Sequence, residues 1–331
     1  MFERQIYEAY GLFCEERFFV GDYEAFIANG KLYIFVPIKD GDFQECLQMA
    51  SWLKSRGEQN IAERVDTVRN EPMAVIDGEE GMLFVCPERS WTKAASPGEE
   101  LALFHERGRI FPNRRLRSFR RNYYLQWHKL WEKRLEQLER WHGRLMLQGA
   151  QTEIDELFLT TFPYYLSLSE TAMQYFVNVL NNVLQSERDL PSICHERFTE
   201  TTWPVLPKPF SFTILPTDFL IDHYSRDVAE YIRHEIVFKH SPFEKIASFL
   251  EQYSRVQPLS SFAWQMIFAR LLFPLHYFTC AESFYKNEKL ARYSELAKQF
   301  VRVLQTEQKN TELLKIVQQF VPYEKIDWLN I

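Results

Sequence analysis

The spacing of apolar and polar residues divides the chain into a strand-rich beginning and a helical remainder. The run RFFVGDYEAFIANGKLYIFVPIK breaks at Asn29-Gly30, and Asn-Gly between β-rich runs is a strong hairpin signal. The segment PMAVIDGEEGMLFVCPER predicts a second hairpin around Asp77 to Gly81. Between the two, DFQECLQMASWLKSRG has helical apolar spacing, with Asp42 placed to cap its start and Gly57 its end. The order strand, strand, helix, strand, strand predicts a small antiparallel sheet with one helix laid on it.

After residue 90 the pattern becomes helical. Ser, Pro and Gly in SWTKAASPGEE mark a linker, and Asn122 to Leu147 predicts a long amphipathic helix. Several prolines in TTWPVLPKPFSFTILPTDFLID interrupt the pattern and predict a short β-hairpin with loops, after which helices resume. We therefore predict an N-terminal lobe over 1–90, a linker over 91–100 and a helical lobe over 101–331, with the β-hairpin near 203–220.

Composition predicts a folded, soluble protein in a reducing, intracellular compartment. Hydrophobic residues make up 46% and aromatic residues 16% of the 331 positions, so a large core is predicted and disorder is not. The net charge of −6 gives no reason to expect nucleic acid as a partner. Five widely spaced cysteines without a Cys-x-x-Cys motif predict neither a disulfide framework nor a zinc site. The charged N-terminus and the lack of a long apolar run predict no signal peptide and no membrane span.

A β-rich lobe, a linker, a helical lobe and a hairpin after a histidine-containing loop follow one another in the chain order of the kinase-like fold. Several segments resemble the aminoglycoside phosphotransferase and choline kinase group, and more closely the endospore coat-associated proteins of the CotS and YutH kind. These segments are MASWLKSRGEQNIAERVDTVRNEPMAVIDGEEGMLFV, GEELALFHERGR, SICHERF, DHYSRDVAEYIR and RLLFPLHYF. The resemblance spans both lobes and implies a two-lobed, protein kinase-like α+β fold with a ligand cleft between the lobes. It also implies association with the spore coat of a Bacillus-type bacterium.

The catalytic loop of that fold reads His-x-Asp, with an Asn five residues after the Asp. In SICHERFTETTW the histidine is His195, but the Asp position holds Arg197 and the Asn position holds Thr202. A guanidinium cannot accept a proton, and although a hydroxyl can ligate Mg²⁺, no Asp in this loop assists it. Glu196 is a candidate substitute base, but the neighbour of a loop position usually points elsewhere. His195 is expected to hold the loop by hydrogen bonds, so no catalytic residue of the loop is intact.

A second metal ligand is expected from an Asp at the end of the following hairpin. The segment SFTILPTDFLID offers Asp218 and Asp222 as cleft candidates. The resemblance matches Asp227 to the structural Asp of the family, and counting back from it puts the metal position near Leu215 to Thr217. Asp218 is therefore close but out of register, and the alternative is a turn Asp beside Pro216.

The phosphate-binding lysine of such enzymes lies within the third strand, and a Glu on the next helix pairs with it. The strand LYIFVPI contains no lysine, while Lys31 precedes it and Lys39 follows it. Glu45, early in the helix, is placed to pair with Lys39, and these two residues complete the cleft candidates. The alternative is a solvated pair at a strand-to-helix turn. The glycine-rich loop is missing as well, because FFVGDYEAF holds only Gly21, where a turn needs one.

The stretch RGRIFPNRRLRSFRR holds seven arginines in fifteen residues, interleaved with aromatic side chains. Such a stretch suits phosphates, nucleic acid or an acidic protein, and the acidic net charge of the chain favours the protein. The alternative is a solvated loop and helix start. The partner-binding candidates are Arg114, Arg115, Arg117, Arg120 and Arg121. No metal site is predicted, since His128 and His142 on one helix lie about four turns apart.

The degenerate loop leaves three hypotheses. The first is a catalytically inactive, kinase-like spore coat protein that acts in coat assembly or as a scaffold, with other spore coat proteins as partners and no cofactor. The second is a small-molecule or protein phosphotransferase with atypical residues, for which alone Mg-ATP is expected. The third is a module that binds a nucleotide or metabolite without turnover. The first implies a protein of the mother-cell cytoplasm that becomes associated with the coat, without a nucleic-acid partner.

Overall fold

The computed structural model describes residues 1–38, 43–87, 96–109, 111, 119–199, 202–207, 212–286 and 293–320. The chain forms two compact units. The first comprises Met1–Asn122, Pro191–Ile221 and Arg255–Gln257, and the second comprises Tyr123–Leu190, Asp222–Ser254 and Pro258–Ile331. The first unit therefore includes the His195 loop as well as the N-terminal sheet. The predicted lobe and linker limits stay a prediction.

The first unit is built on a six-stranded antiparallel sheet. Its strands are β1 (Glu16–Val20), β2 (Tyr23–Ala28), β3 (Lys31–Pro37), β4 (Glu63–Val65), β5 (Ala74–Ile76) and β6 (Glu79–Val85). Neighbouring strands follow the order β1-β2-β3-β6-β4, and β5 also pairs with β6. The unit also contains helices α1 (Phe2–Tyr10), α2 (Phe43–Ser55) and α3 (Pro97–Gly108). Strands β7 (Ser192–His195) and β8 (Phe219–Asp222) pair in a separate two-stranded sheet.

Tight turns form where the sequence supplies residues that tolerate left-handed backbone angles. Asn29 (φ 52°) and Gly30 (φ 73°) connect β2 to β3, and Asp77 (φ 48°) and Gly78 (φ 84°) connect β5 to β6. Both predicted hairpins are therefore confirmed. The run RFFVGDYEAF counts as one strand in the predicted order of elements, but it folds back at Gly21 (φ 60°), the glycine already noted as suited to a turn, to give β1 and β2. Helix α1 is a further addition to the predicted order of elements.

Apolar side chains cover both faces of the large sheet. The first face carries α1, whose Phe2, Ile6 and Tyr10 recur at helical spacing and are buried. The second face carries α2, through Phe43 and Leu47, together with the chain that follows the His195 loop. The buried members of the second face are Val20, Ala25, Leu32, Ile34, Val36, Ala62, Met82, Phe84, Cys86, Leu206 and Leu215. The predicted helix on the sheet is thus confirmed for α2.

The second unit is helical. Its helices are α4 (Trp127–Gln148), α5 (Glu153–Asn182), α6 (Ser225–Arg233), α7 (Phe243–Val256), α8 (Ser261–Leu272), α9 (Leu275–Lys286), α10 (Tyr293–Gln305) and α11 (Glu307–Gln318). Helix α4 begins later than predicted, because Leu125 has a left-handed φ of 56°, which no α-helix contains. Trp131 of α4 stacks on Phe273 with 4.5 Å between ring centroids, which fixes α4 in an aromatic core. No helix within the described ranges has the length and apolar character to cross a membrane.

Candidate functional site

His195 is the last residue of β7 and begins the loop that the sequence singled out. Its side chain is fully buried, and its Nε2 accepts a hydrogen bond from Trp203 Nε1 at 3.1 Å. The imidazole stacks on Phe104 of α3 with 4.7 Å between ring centroids, and it also contacts Phe198 and Phe219. These contacts join the loop to α3, to β8 and to the chain after the loop. His195 therefore has the surroundings of a residue that holds the loop in place.

Three described residues of the loop, Arg197, Thr199 and Thr202, are hydrogen-bonded to one another. Thr202 Oγ1 donates to the Arg197 carbonyl at 2.7 Å and accepts from the Thr199 backbone N–H at 3.3 Å. The Thr202 backbone N–H donates to the Thr199 carbonyl at 3.1 Å. The hydroxyl at the expected metal-ligand position is thus engaged within the loop, and the expected base position carries the cation of Arg197.

Asp218 lines the same cavity as the loop. This cavity, which we call the loop cavity, has a volume of about 360 Å³. It is lined by Tyr23, Glu196, Arg197, Thr199, Thr202, Leu215, Thr217 and Asp218. Glu196 and Asp218 are also joined by the backbone, since the Glu196 N–H donates to the Asp218 carbonyl at 2.9 Å. Burial, and next the negative charge of Asp218, raise the pKa of Tyr23. The structure therefore brings Asp218 together with Arg197 and Thr202.

Glu45 binds backbone amides. Its two carboxylate oxygens accept from the backbone N–H groups of Arg120 at 2.9 Å and Arg121 at 3.0 Å. The Arg121 guanidinium lies 3.5 Å from Cys46 Sγ and donates to Glu196 Oε2 at 3.1 Å. Glu45 thus anchors the end of the arginine-rich stretch on α2, and Arg121 connects that end to the loop. The proposed partner of Glu45, Lys39, lies outside the described residues.

The beginning of the arginine-rich stretch is anchored as well. Arg107 pairs with Glu58, which follows α2 and whose side chain is 2% exposed. Phe111 packs edge-on against Trp52 of α2, with 5.7 Å between ring centroids. Both described ends of the stretch therefore contact α2 or the residues just after it. Three of the proposed partner contacts lie outside the described residues, namely Arg114, Arg115 and Arg117.

Asp222, and not the segment 215–217, stands at the end of the strand that pairs with β7. The end of β8 thus falls at Asp222 and not within the segment 215–217 counted back from Asp227, and which of these positions would hold a metal stays a prediction. Asp222 is fully buried, and its Oδ2 accepts from Trp127 Nε1 at 2.7 Å and from Arg226 Nη1 at 2.9 Å. Its Oδ1 accepts from the backbone N–H of the next residue at 2.7 Å. Burial raises the pKa of this carboxyl, and the Arg226 charge opposes that shift. An Asp therefore ends β8, and both of its carboxylate oxygens accept hydrogen bonds from internal donors.

The second unit contains further buried charges. Glu230 Oε1 accepts from Arg233 Nη1 and from Arg270 Nε, each at 2.8 Å. Burial, and next the charge of Arg226, lower the pKa of Arg270 to about 10, so this guanidinium stays protonated at neutral pH. Asp227, the predicted structural Asp, is also fully buried in α6. Charges in this region therefore serve the packing of the helices.

Ser225, His223 and Asp189 form a constellation that no sequence spacing indicated, because Asp189 is 34 residues from His223. His223 Nδ1 lies 2.7 Å from Ser225 Oγ, and its Nε2 lies 3.4 Å from Asp189 Oδ1. The residue types are those of a nucleophilic triad, but each residue is at most 1% exposed. The Ser225 backbone N–H also donates to His223 Nδ1 at 3.2 Å. The arrangement therefore organises the start of α6, where no substrate can reach it.

The described residues near 203–220 include two that pack on the second face of the large sheet. An antiparallel bridge joins Val205 to Phe212, and Trp203 stacks on Phe212 with 5.4 Å between ring centroids. Strand β8, at the end of this segment, pairs with β7. Leu206 and Leu215 are 5% and 2% exposed within the apolar cluster of the sheet. The predicted hairpin is thus represented, among the residues described here, by a single bridge.

Sequence comparison matches the chain to a family of proteins described by their relation to the spore coat. Residues 3–317 match the family model described as "Spore coat putative kinase YutH". The chain is 32% identical over 298 residues to the endospore coat-associated protein YutH of Bacillus subtilis (strain 168). That match covers 88% of this chain and 86% of the relative.

Solved structures with the same fold are phosphotransferases and small-molecule kinases. An aminoglycoside phosphotransferase from Alicyclobacillus acidocaldarius superposes with a TM-score of 0.68 at 16% identity, covering 94% of each chain. A spectinomycin phosphotransferase, solved with ADP and spectinomycin, gives 0.56 at 14% identity, covering 92% of this chain and 97% of that one. These similarities confirm the predicted two-lobed, kinase-like α+β fold class. Since the family model matches nearly the whole sequence, the chain belongs to the spore coat YutH family.

Proposed function

We propose that this protein acts in spore coat assembly as a kinase-like scaffold that does not transfer phosphate. One observation carries the proposal: the Thr202 hydroxyl and the Asp222 carboxylate, at the expected Mg²⁺-ligand positions, are engaged in internal hydrogen bonds. Arg197 at the base position cannot accept a proton. Phosphoryl transfer depends on bound Mg²⁺ and an oriented nucleophile, and the loss of one such part typically lowers the rate by orders of magnitude.

Family membership supports the coat part of the proposal. The Bacillus subtilis relative is named as endospore coat-associated, and we extend that association to this chain. Other spore coat proteins are the proposed partners, the mother-cell cytoplasm is the proposed site of synthesis, and no cofactor is required. The arginine-rich stretch from Arg107 to Arg121 suits an acidic partner, because guanidinium groups bind carboxylates in pairs of hydrogen bonds. Its described ends are anchored on or beside α2.

The catalytic part is tested with purified protein and Mg-ATP. We expect no rise in melting temperature at millimolar Mg-ATP and no transfer of radiolabelled phosphate to water, to the chain or to coat extract. The matched variant carries Glu196→Gln and Asp218→Asn, which remove the two carboxylates lining the loop cavity. Label transfer by the wild type that disappears in this variant would overturn the proposal.

The scaffold part is tested in a spore-forming strain that lacks its own copy of the gene. We expect the Glu196→Gln, Asp218→Asn variant to restore coat morphology as well as the wild type does, because assembly needs surfaces rather than chemistry in the loop cavity. The control carries Glu132→Gln and Glu139→Gln, two exposed positions on α4. If only the cavity variant fails to restore the coat, although it is folded and abundant, chemistry in the loop cavity is required and the scaffold proposal is wrong.

An active phosphotransferase with atypical residues is the second candidate. One observation favours it: Glu196 and Asp218 line the same cavity beside the hydroxyl of Thr199, and carboxylate oxygens are preferred ligands of Mg²⁺. This candidate predicts both a thermal shift with Mg-ATP and label transfer. A module that binds nucleotide without turnover predicts the shift alone. The two measurements together therefore separate all three hypotheses.

A further inference from the structure

The two edges of the large sheet differ in how far the chain covers them. One edge is formed by β4 and β5, which have three residues each and share β6 as their partner. The chain extends this edge on its outer side, because the Ala62 N–H, just before β4, donates to the Ile214 carbonyl at 3.0 Å. The other edge is β1, whose five residues pair, within the described ranges, with β2 alone. Strand β1 is therefore the long open edge of the sheet.

The turn after β1 determines which of its backbone groups point to the open side. Val20 and Tyr23 face each other across a two-residue turn, and such a closing pair is hydrogen-bonded in an antiparallel hairpin. Bonded positions alternate along the strand, so Phe18 directs its N–H and C=O groups toward β2, whereas Arg17 and Phe19 direct theirs away from it. Two residues of β1 thus offer backbone donors and acceptors to a further strand.

The side chains of these two residues lie on one face of the sheet, because side chains alternate along a strand. Phe19 is 67% exposed. Arg17 is held in place, since its guanidinium donates to Glu24 at 2.6 Å and to Glu3 at 3.2 Å. Phe18 points to the other face, where it packs at the margin of the apolar cluster. The open edge therefore carries an exposed aromatic ring and a fixed cation two residues apart on one face.

A bulge and a turn limit the length of strand that β1 can accept. Glu16 is the register partner of Ile27, and the Glu15 N–H also donates to the Ile27 carbonyl at 2.8 Å. Two residues that face one residue make a β-bulge, which interrupts regular pairing at this end of β1. At the other end the chain turns at Gly21. An added strand therefore has room to pair with positions 17–20.

A second copy of β1 fits these limits when the two strands run antiparallel about Phe18. Arg17 of each copy then faces Phe19 of the other, so each outward N–H of one copy meets a carbonyl of the other. The cation lies beside an aromatic ring on both sides of the axis, and the two Phe18 rings face each other across it. Pairing about Arg17 would oppose two like charges, and pairing about Phe19 would bring Arg17 against the turn at Gly21. The edge thus complements itself in one register.

We propose that two copies of this protein pair through β1 in an antiparallel, two-fold symmetric dimer. The two six-stranded sheets continue into one another across the Phe18 axis. The occupant of the open edge is a second copy because the edge matches itself in backbone hydrogen bonds, in charge and in aromatic contacts. The inference does not depend on the absence of phosphate transfer, and it adds a partner to the proposed scaffold.

The mass of the full chain in solution tests the dimer. Sedimentation velocity at about 1 to 100 µM should show a dimer that builds up with concentration, because a short strand pairing makes a small interface. Phe19→Lys places a second cation opposite Arg17 and should raise the dissociation constant at least about tenfold. Phe19→Glu, which faces Arg17 with the opposite charge, should raise it less. Val75→Lys on β5, at a side chain that is 61% exposed, is the control and should leave the dimer unchanged.

Three results would overturn the proposal. The first is a wild type that stays monomeric over the whole concentration range, as expected if the edge accepts a segment of another protein instead. The second is equal weakening by Phe19→Lys and Phe19→Glu, which indicates adhesion without the proposed register. The third is equal weakening by Phe19→Lys and Val75→Lys, which removes the role of β1. Phe19 is largely exposed, so its substitution leaves the core intact, and the melting temperature checks this.

Cysteine cross-linking tests the register. Phe18→Cys and Glu16→Cys are each made with Cys14→Ser, because the other cysteines are buried. Facing residues on antiparallel strands have Cα atoms about 4.5–5.5 Å apart, which suits a disulfide, and position 18 faces itself whereas position 16 faces position 20. We expect Phe18→Cys to form covalent dimers at least about tenfold faster under mild oxidation. Random collisions would favour the more exposed position 16, and faster cross-linking there would overturn the register.

A second pair of variants keeps the register testable if Phe18→Cys disturbs the fold. Arg17→Cys mixed with Phe19→Cys should cross-link faster than either variant alone, and the reverse would overturn the register. The outcome is separable from that of the proposed function. Label transfer by the wild type would refute inactivity and leave the dimer standing, whereas an inactive wild type that stays monomeric would refute the dimer alone.

Discussion

The charged pair beside the loop cavity of the first unit and the buried charges of the second unit are held in opposite ways. In the first, the Glu196 side chain is 62% exposed and its pair with Arg121 borders an open cavity. In the second, Asp222, Glu230 and Arg270 have side chains no more than 6% exposed, and each is hydrogen-bonded to an opposite charge. Exposed pairs contribute little to stability because water screens them, whereas a buried charge that loses its partner is costly.

Asp218 and Asp222 have different roles, which the sequence alone does not distinguish. Asp218 and Asp222 are four residues apart and look like alternatives for one metal position. Asp218 lines the loop cavity, while Asp222 is fully buried and bonded to Arg226 and Trp127. We therefore expect substitutions of the buried charges to lower the free energy of unfolding. Substitutions around the loop cavity should leave that free energy almost unchanged and act, at most, on ligand binding.

The largest expected effect is the loss of Glu230. Glu230→Ala removes the carboxylate shared by Arg233 and Arg270, so two buried guanidinium groups lose the oxygen to which both donate. We expect the free energy of unfolding to fall by about 3–5 kcal/mol, measured by urea denaturation. Glu295→Ala, at an exposed position of α10, is the control and should change it by less than about 0.5 kcal/mol. Equal effects of the two substitutions would contradict the structural role of the buried group.

The next effect is expected at Asp222. Asp222→Asn keeps the shape of the side chain but removes the buried carboxylate charge to which Arg226 Nη1 donates, so the free energy of unfolding should fall by about 2–3 kcal/mol. The double variant Asp222→Leu, Arg226→Met removes both charges and should be closer to the wild type than Asp222→Asn is. If the double variant is instead less stable than Asp222→Asn, the destabilisation by Asp222→Asn does not come from the uncompensated charge of Arg226.

A pH dependence is expected at Asp189. Although burial opposes it, hydrogen bonds from His223, Ser260 and Ser186 hold the pKa of Asp189 well below its usual range. A lowered folded-state pKa means that the contribution to stability is complete above the unfolded pKa of about 3.9 and is lost as the pH falls below it. Asp189→Asn should cost about 2 kcal/mol at pH 7, and the difference from the wild type should shrink below about pH 4. Urea midpoints across pH 3 to 7 measure this, and a constant difference would contradict it.

The smallest effect is expected at the loop cavity. Glu196→Gln should change the free energy of unfolding by less than about 1 kcal/mol, and by less still in high salt, because the carboxylate is largely exposed. A double-mutant cycle with Arg121→Met isolates the pair from the contact between Arg121 and Cys46. A coupling energy of several kcal/mol between Glu196 and Arg121 would mean that this exposed pair stabilises the fold as much as the buried pairs do, which would contradict the contrast drawn above.

Features governed by neighbouring residues could be predicted from the sequence. Asn29-Gly30 and Asp77-Gly78 form turns because asparagine, aspartate and glycine tolerate the positive φ angles that these tight turns require. Leu125 shows the limit of such reasoning, since an apolar residue in helical register takes a left-handed φ and delays α4. The early run RFFVGDYEAF was equally ambiguous, because one glycine within an apolar run is compatible with a strand or a turn.

The residue types at the loop positions can be read from the sequence, whereas the contacts around them are set by the tertiary structure. Arg197 and Thr202 stand where a base and a metal ligand are expected, and residue identity alone establishes that. The partners of Glu45, two backbone amides 75 and 76 residues away, leave no trace in spacing or composition. The same is true of Asp222, whose donor Trp127 is 95 residues away, and of Leu215 on the sheet. Adjacent residues determine the local backbone preference. The packing of the whole chain decides which distant groups share one buried space.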